Sequence, residues 1–155
     1  AGAMQDECNV VLGRCVQLMV DHMGSLTNVL LNPGSLPVVE GPSYILDQPF
    51  GACRLITVEL VALLIETQPG VYDALMAHNA LKVCLDLFFQ YDMNDMLHSS
   101  FSSAVPVALG HTQLCKHFFE DLHILDRIVE ANRNLPALTG HLTLLSNAIV
   151  EAQSS

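Results

Sequence analysis

The stretch from Leu81 to Gln90, LKVCLDLFFQ, decides the fold class of this chain. Its apolar residues Leu81, Cys84, Leu85 and Phe88 follow the i, i+3, i+4, i+7 spacing that lines one face of an α-helix. The polar residues at positions 82, 86 and 90 lie four apart on the opposite face, where such pairs stabilise a helix. The stretch therefore predicts an amphipathic helix that packs its apolar face against a protein core.

The same helical spacing recurs along most of the chain on both sides of this stretch. It predicts about seven helices, in an alternation of long and short ones, and no convincing strand. The apolar groups at 38–39 and 44–46 are too short and too close to prolines to indicate strands. Residues 32–49 contain four prolines and predict an extended connector between helices.

A long helix after this stretch has recognisable ends. Asp92 or Asn94 is suited to cap its start, because short polar side chains accept hydrogen bonds from the first backbone N–H groups. The helix should run to about Leu109, and Pro106 should kink or shorten it. Gly110 suits the residue that follows the last turn.

A faint internal repeat relates two parts of the chain at a spacing of 43 residues. The pairs are Met76 with Phe119, Leu81 with Ile124, Leu85 with Ile128, and His98 with His141. HEAT and armadillo repeats have periods of about 40–47 residues. We therefore predict an all-α, armadillo/HEAT-like α-solenoid. Residues 5–155 should form one helical-repeat domain that includes the connector at 32–49 and belongs to a longer solenoid, and residues 1–4 are interpreted as a remnant of cloning.

Composition excludes several classes of function. The chain has 155 residues, a formal net charge of −10 and only 14% charged residues, where about 25% is usual. Nucleic acids and anionic membranes require clustered basic residues, so neither is an expected partner. The longest apolar run, 55–65, is shorter than the roughly 18 residues of a membrane span. Five cysteines without a pairing pattern indicate a reducing compartment. We expect a cytoplasmic protein, with the nucleus as a second compartment.

The sequence contains no convincing catalytic or metal-binding motif. His111 and Cys115 have a spacing that zinc ligands can use, but a buried cysteine beside surface histidines is the more common meaning of such a pattern. Cys53, Cys84 and Cys115 lie in apolar helical stretches, where burial would make them unreactive. We therefore predict no catalytic residue, no cofactor, no metal and no disulfide. A small hydrolase that uses a cysteine or a His/Cys metal is the least favoured alternative.

Four polar residues stand near the starts of long helices: Arg54, Asn94, His98 and His141. Three of them, Arg54, His98 and His141, have nearly the same position in the repeat. Solenoid neighbours at equal positions line up in space, so these side chains could form a stripe along one surface. One hypothesis makes that stripe the contact with a protein partner. The other makes it a set of hydrogen bonds that join adjacent repeats.

Several stretches resemble a known family when they are taken in order. They are LDLFFQY at 85–91 running on to Leu97-His98, CKHFFE at 115–120 running on to DRIVEA at 126–131, and GHLT at 140–143 with NAIV at 147–150. FGACRL at 50–55 and LLNP at 30–33 add support. Together they resemble the SAPS domain of the regulatory subunits of protein phosphatase 6. The chain looks like a divergent member, and like the C-terminal part of that domain.

The resemblance implies an α-solenoid that binds the catalytic subunit of a serine/threonine phosphatase of the phosphatase 6 type and directs its choice of substrates. It also implies ankyrin-repeat subunits as further partners, and no catalysis by this chain. A generic armadillo/HEAT adaptor for another protein partner remains the main alternative.

Overall fold

The computed structural model describes residues 2–42 and 44–153, and most of them are helical. The described helices are α1 (Gly2–Asp21), α2 (Met23–Leu31), α3 (Ala52–Thr67), α4 (Tyr72–Ala77), α5 (Ala80–Gln90), α6 (Asp95–Leu109), α7 (Thr112–Lys116), α8 (Ile124–Asn134) and α9 (Thr139–Gln153). Short 3-10 turns at Pro69–Val71 and Pro136–Leu138 lead into α4 and α9, and a π-helical turn at His117–Asp121 follows α7. The all-α class is confirmed, although the described residues form more α-helices than the seven or so predicted.

A small β-hairpin interrupts the connector between α2 and α3. Strand β1 (Val39–Gly41) pairs antiparallel with β2 (Tyr44–Leu46), and Val39 lies opposite Leu46. The prediction of no strand was therefore wrong at this point. Each strand has only three residues, too few to show an alternating pattern in the sequence, and Pro42 lies in the turn, where it interrupts no strand hydrogen bond.

Three long helices form the centre of the molecule. Helix α6 lies between α3 and α9 and packs against both, while α2 packs against α3 and α5. The predicted apolar face of α5 is confirmed, because Leu81, Cys84, Leu85 and Phe88 are all fully buried. Phe88 also contacts Phe101 of α6, with ring centroids 6.0 Å apart, so α5 and α6 share one core.

Helix α6 reaches Leu109 as predicted, with Pro106 inside its last turn. Pro106 has no N–H and therefore cannot donate the hydrogen bond that an α-helix would direct to the carbonyl of Ser102, and the helix ends three residues later. Gly110 follows the helix with a right-handed φ of −68°, so the left-handed freedom of glycine is not used there. What Gly110 contributes is its small size: an added Cβ would lie 3.3 Å from the carbonyl oxygen of Val107.

Helix α1 lies largely outside the core. Every side chain from residue 4 to residue 15 is exposed, including those of Val10, Val11 and Leu12. Only its last turns pack partly against the rest of the protein, through Val16 and Met19 among others.

Within the described ranges, no single helix is long and apolar enough to cross a membrane. Helix α3 and the segment Pro69–Ala77 meet that criterion only as a pair, and the chain bends by 118° between them.

Candidate functional site at the start of α6

The start of α6 is fixed by an asparagine cap. The side-chain oxygen of Asn94 accepts a hydrogen bond from the backbone N–H of Leu97 at 3.1 Å, which confirms Asn94 as one of the two predicted caps. The cap places Asp95 in the first turn and His98 three residues later. Residues three apart lie on neighbouring parts of one helix face, so Asp95 and His98 are brought together by the local structure.

His98 is fully buried and ties α6 to the end of α5. Its Nε2 lies 3.0 Å from the carbonyl oxygen of Phe88. That carbonyl belongs to the last turn of α5, where backbone oxygens have no acceptor partner within the helix. A carbonyl can only accept, so Nε2 must carry the proton. Nδ1 then holds a lone pair, and it has no hydrogen-bond partner among the described residues.

The protonation state of His98 follows from its surroundings. Burial lowers the pKa of His98 by disfavouring the charged imidazolium, and the hydrogen bond to Phe88 opposes that effect. Nearby His141 lowers the pKa further, whereas Asp95 and Asp92 raise it. The net direction is downward, so His98 is a neutral imidazole near pH 7.

His141 joins this cluster from α9. Its ring centroid lies 5.0 Å from that of His98, and its Nε2 lies 3.6 Å from Oδ1 of Asp95. The Asp95 side chain is 90% exposed, whereas that of His141 is 19% exposed. One ligand-type atom from each of the three side chains lies within 4.8 Å of the others. The 43-residue spacing therefore correctly identified His98 and His141 as neighbours in space.

Arg54, near the start of α3, bonds to the end of α2 and to Tyr91, the residue after α5. Its Nε donates to the carbonyl oxygen of Leu30 at 2.8 Å, and its Nη1 donates to the hydroxyl of Tyr91 at 2.8 Å. The guanidinium also lies 5.7 Å from the centroid of the Tyr91 ring and 5.9 Å from that of Phe50. Leu30 is in the last turn of α2, so Arg54 satisfies an orphan carbonyl at the negative end of that helix dipole.

The four residues of the predicted stripe thus separate into two groups. His98 and His141 meet at the α6–α9 contact with Asn94 nearby in the cap, while Arg54 bonds to α2 and to Tyr91. Arg54 and His98 are buried and have internal partners, which fits the hypothesis of hydrogen bonds that join helices. Whether any of the four contacts a partner protein stays a prediction.

Sequence reasoning missed two members of this site. Asp95 could have been found, because it lies three residues before His98 on the same helix. The carbonyl of Phe88 could not, because a backbone oxygen has no sequence signature. The structure brings the two histidines together with Asp95 rather than with Arg54.

An open groove of about 520 Å³ borders the cluster. Exposed methionines, Met93 and Met96, and the hairpin residue Ile45 give it an apolar part. Its acidic lining consists of Asp47, Asp92 and Asp95. The groove therefore combines flexible apolar side chains with negative charge.

The cysteines differ from the prediction. Cys53 was expected to be buried but is exposed, because it lies on the outer side of the first turn of α3, and Cys115 is only half-buried. Cys84 is fully buried as predicted, and burial raises the pKa of its thiol to about 12. His111 and Cys115 are not part of the cluster that Asp95, His98 and His141 form.

The family to which the chain belongs is indicated by a match over its second half. The SAPS family, described as SIT4 phosphatase-associated protein, matches residues 68–155. The match covers α4 to α9 and includes Asp95, His98 and His141, whereas Arg54 lies outside it. Because more than half of the chain is matched, the chain belongs to the SAPS family.

Particular relatives extend the similarity towards the N-terminus. The chain is 29% identical to serine/threonine-protein phosphatase 6 regulatory subunit 3-A of Xenopus laevis over an alignment length of 161, which covers 85% of this chain and 19% of that protein. It is 28% identical over 160 residues to regulatory subunit 3 of Gallus gallus, across 84% of this chain and 18% of that protein. It is 33% identical over 84 residues to regulatory subunit 2 of Mus musculus, across 54% of this chain and 9% of that protein.

The chain thus spans about a fifth of the length of the regulatory subunits 3 that it resembles. No solved structure gives a significant match to it.

Proposed function

We propose that this chain is part of a non-catalytic regulatory subunit that binds the catalytic subunit of a serine/threonine protein phosphatase of the phosphatase 6 type. The single observation that carries the proposal is membership of the SAPS family, together with relatives that are named as regulatory subunits of phosphatase 6. The acidic groove and the exposed methionines beside α6 are compatible with a protein-binding role, because methionine side chains adapt to varied partner surfaces.

The regulatory role has finer parts that belong to the same proposal. The subunit would direct the choice of substrates of the phosphatase and would assemble with ankyrin-repeat subunits, in the cytoplasm and also in the nucleus. The net charge of −10 supports a protein partner over nucleic acid or an anionic membrane.

The proposal includes an armadillo/HEAT-like solenoid. Two observations support it. Helices α3, α6 and α9 pack side by side, and their first residues lie about 43 residues apart in the sequence, which is the spacing expected of repeats. The contact between His98 and His141, which lie 43 residues apart near the starts of α6 and α9, also supports a repeat. The exposed apolar side chains of α1 are also typical of a helix that packs against another part of a longer protein or against a partner protein.

Binding is the property to measure. The purified chain is immobilised and offered the catalytic subunit of a phosphatase 6-type enzyme and, separately, that of a type 1 enzyme. We expect retention of the first only. Retention of neither, or of both equally, contradicts the proposal. Mass spectrometry of proteins that co-purify with the full-length protein from its source cell tests the alternative of an adaptor for another partner.

A further inference from the structure

We propose that Asp95, His98 and His141 form a binding site for one divalent transition-metal ion of the zinc class, which links α6 to α9. The three side chains come from two helices and converge only because these helices pack together. The proposal is independent of the phosphatase assignment. It differs from the sequence-based expectation of no metal, which considered only ligands that are close in the sequence.

The donor set suits such an ion. Two imidazoles and one carboxylate are common ligands of zinc and of its neighbours cobalt and nickel, and three protein ligands leave a position for water. Asp95 is the exposed member of the cluster, so the ion could enter from solvent at that side. The net charge of −10 favours the approach of a cation.

The spacing between Asp95 and His141 fits ligation better than hydrogen bonding. At 3.6 Å, Oδ1 of Asp95 and Nε2 of His141 are too far apart for a hydrogen bond. Two ligands placed about 2.0–2.1 Å from a tetrahedral ion stand about 3.3 Å apart. Since all three donor atoms lie within 4.8 Å of one another, the widest pair would close by at most about 1.5 Å. The part of that movement that involves Asp95 can come from rotation of its exposed side chain.

His98 is already oriented as a metal ligand. Metal-bound histidines usually donate their second ring N–H to a backbone carbonyl or carboxylate, which fixes the tautomer and the ring direction. His98 makes this bond from Nε2 to Phe88, and its remaining nitrogen, Nδ1, is buried without a partner among the described residues. The lone pair on Nδ1 is therefore the one that His98 has left to offer to an ion.

The test uses tag-free protein freed of metal with a chelator. Co²⁺ is added as the probe, and the visible d–d absorption of bound cobalt is recorded, followed by competition with Zn²⁺. We expect one Co²⁺ per chain, displaced by Zn²⁺, and a higher melting temperature with either ion. His141→Ala and Asp95→Asn should each weaken binding by at least about 100-fold, the upper range for loss of a group that only supports a ligand.

Two matched variants serve as controls. His22→Ala removes an exposed imidazole far from the cluster in the sequence, and Asp92→Asn removes a carboxylate from the turn just before α6. Both should bind Co²⁺ like the unchanged chain. Melting of each apo variant is measured first, so that a failure to fold is recognised. Weak binding by the unchanged chain, or binding that survives both His141→Ala and Asp95→Asn, overturns the proposal.

Discussion

Arg54 is a buried cation whose hydrogen bonds join separate parts of the chain. It satisfies the carbonyl of Leu30 at the end of α2 and the hydroxyl of Tyr91 after α5, with aromatic rings on two sides. Lysine could not replace it, because a single ammonium on a flexible stem lacks the rigid fork that reaches both acceptors.

Replacing Arg54 with Met should therefore destabilise the protein by about 2–4 kcal/mol, since two charge-assisted hydrogen bonds are lost and a buried carbonyl is left unpaired. The measurement is the free energy of unfolding in urea. Arg14→Met, at an exposed position of α1, is the matched control and should change stability by less than about 0.5 kcal/mol. If the two variants had equal free energies of unfolding, the Arg54 contacts would make no net contribution to stability.

The thiol of Cys84 should be inert in the native protein. With a pKa of about 12, only about one thiol in ten thousand is ionised at pH 8, and the thiolate is the reactive form. Iodoacetamide labelling followed by peptide mass spectrometry should modify the exposed Cys53 and leave Cys84 untouched. In denaturant both should react. Native labelling of Cys84 at the rate of Cys53 would contradict its burial.

Parts of the site could be predicted from the sequence, for different physical reasons. The 43-residue spacing singled out His98 and His141 near the starts of α6 and α9, and because these two helices pack against each other, the two side chains meet. The same reasoning assigned Arg54 to the stripe, yet its bonds go to Leu30 and Tyr91. A long arginine side chain reaches the nearest unpaired acceptor, and which backbone oxygen that is depends on tertiary packing.

At the scale of elements, α5 shows why periodicity predicts packing well. Its apolar residues occupy one face, and that face is buried against α2 and α6. The hairpin in the connector shows the opposite case, because strands of three residues leave no period to detect. The ends of helices were predicted only in part. Asn94 could be identified as a cap, whereas the break between α1 and α2 at His22 has no proline, and the nearby Gly24 lies inside α2.

Leu85→Ala and Phe88→Ala should each destabilise the protein by about 2–5 kcal/mol, because both side chains are fully buried and truncation leaves a cavity. That loss is a large share of the ~5–15 kcal/mol typical of a whole domain. Leu144→Ala is the matched control, since Leu144 of α9 is 58% exposed. Denaturant midpoints report the difference. If both α5 variants had the same denaturation midpoint as the unchanged chain, this face of α5 would not be part of the core.

At the scale of the whole molecule, the α3–α6–α9 packing explains how polar residues at helix starts can hold the fold together. His98 bonds α6 to α5, Arg54 bonds α3 to α2, and His141 of α9 meets Asp95 of α6. Arg54 and His98 lie where helix ends leave carbonyls without partners, so each of these two carbonyls accepts a hydrogen bond from a buried side chain. The same positions would be available to a partner only if their side chains reached the surface.

The partner-contact hypothesis for His98 and His141 can therefore be separated from the structural one by a single comparison. His98→Ala leaves the Phe88 carbonyl unpaired in the core, so we expect a loss of stability of about 1–3 kcal/mol. We expect His141→Ala to have a smaller effect, because its side chain is partly exposed. Melting and co-purification of the phosphatase catalytic subunit are measured separately on the full-length protein, with chelator present so that no ion contributes.

Co-purification measured well below the melting temperature should survive His98→Ala, because a fully buried ring offers a partner no surface. His22→Ala, at an exposed histidine outside the cluster, controls for the loss of an imidazole. Interface truncations can cost about 2 kcal/mol or more of binding while the fold is unchanged. Lost co-purification with unchanged melting of His98→Ala would thus reverse the assignment, and would mean that the start of α6 opens when the partner binds.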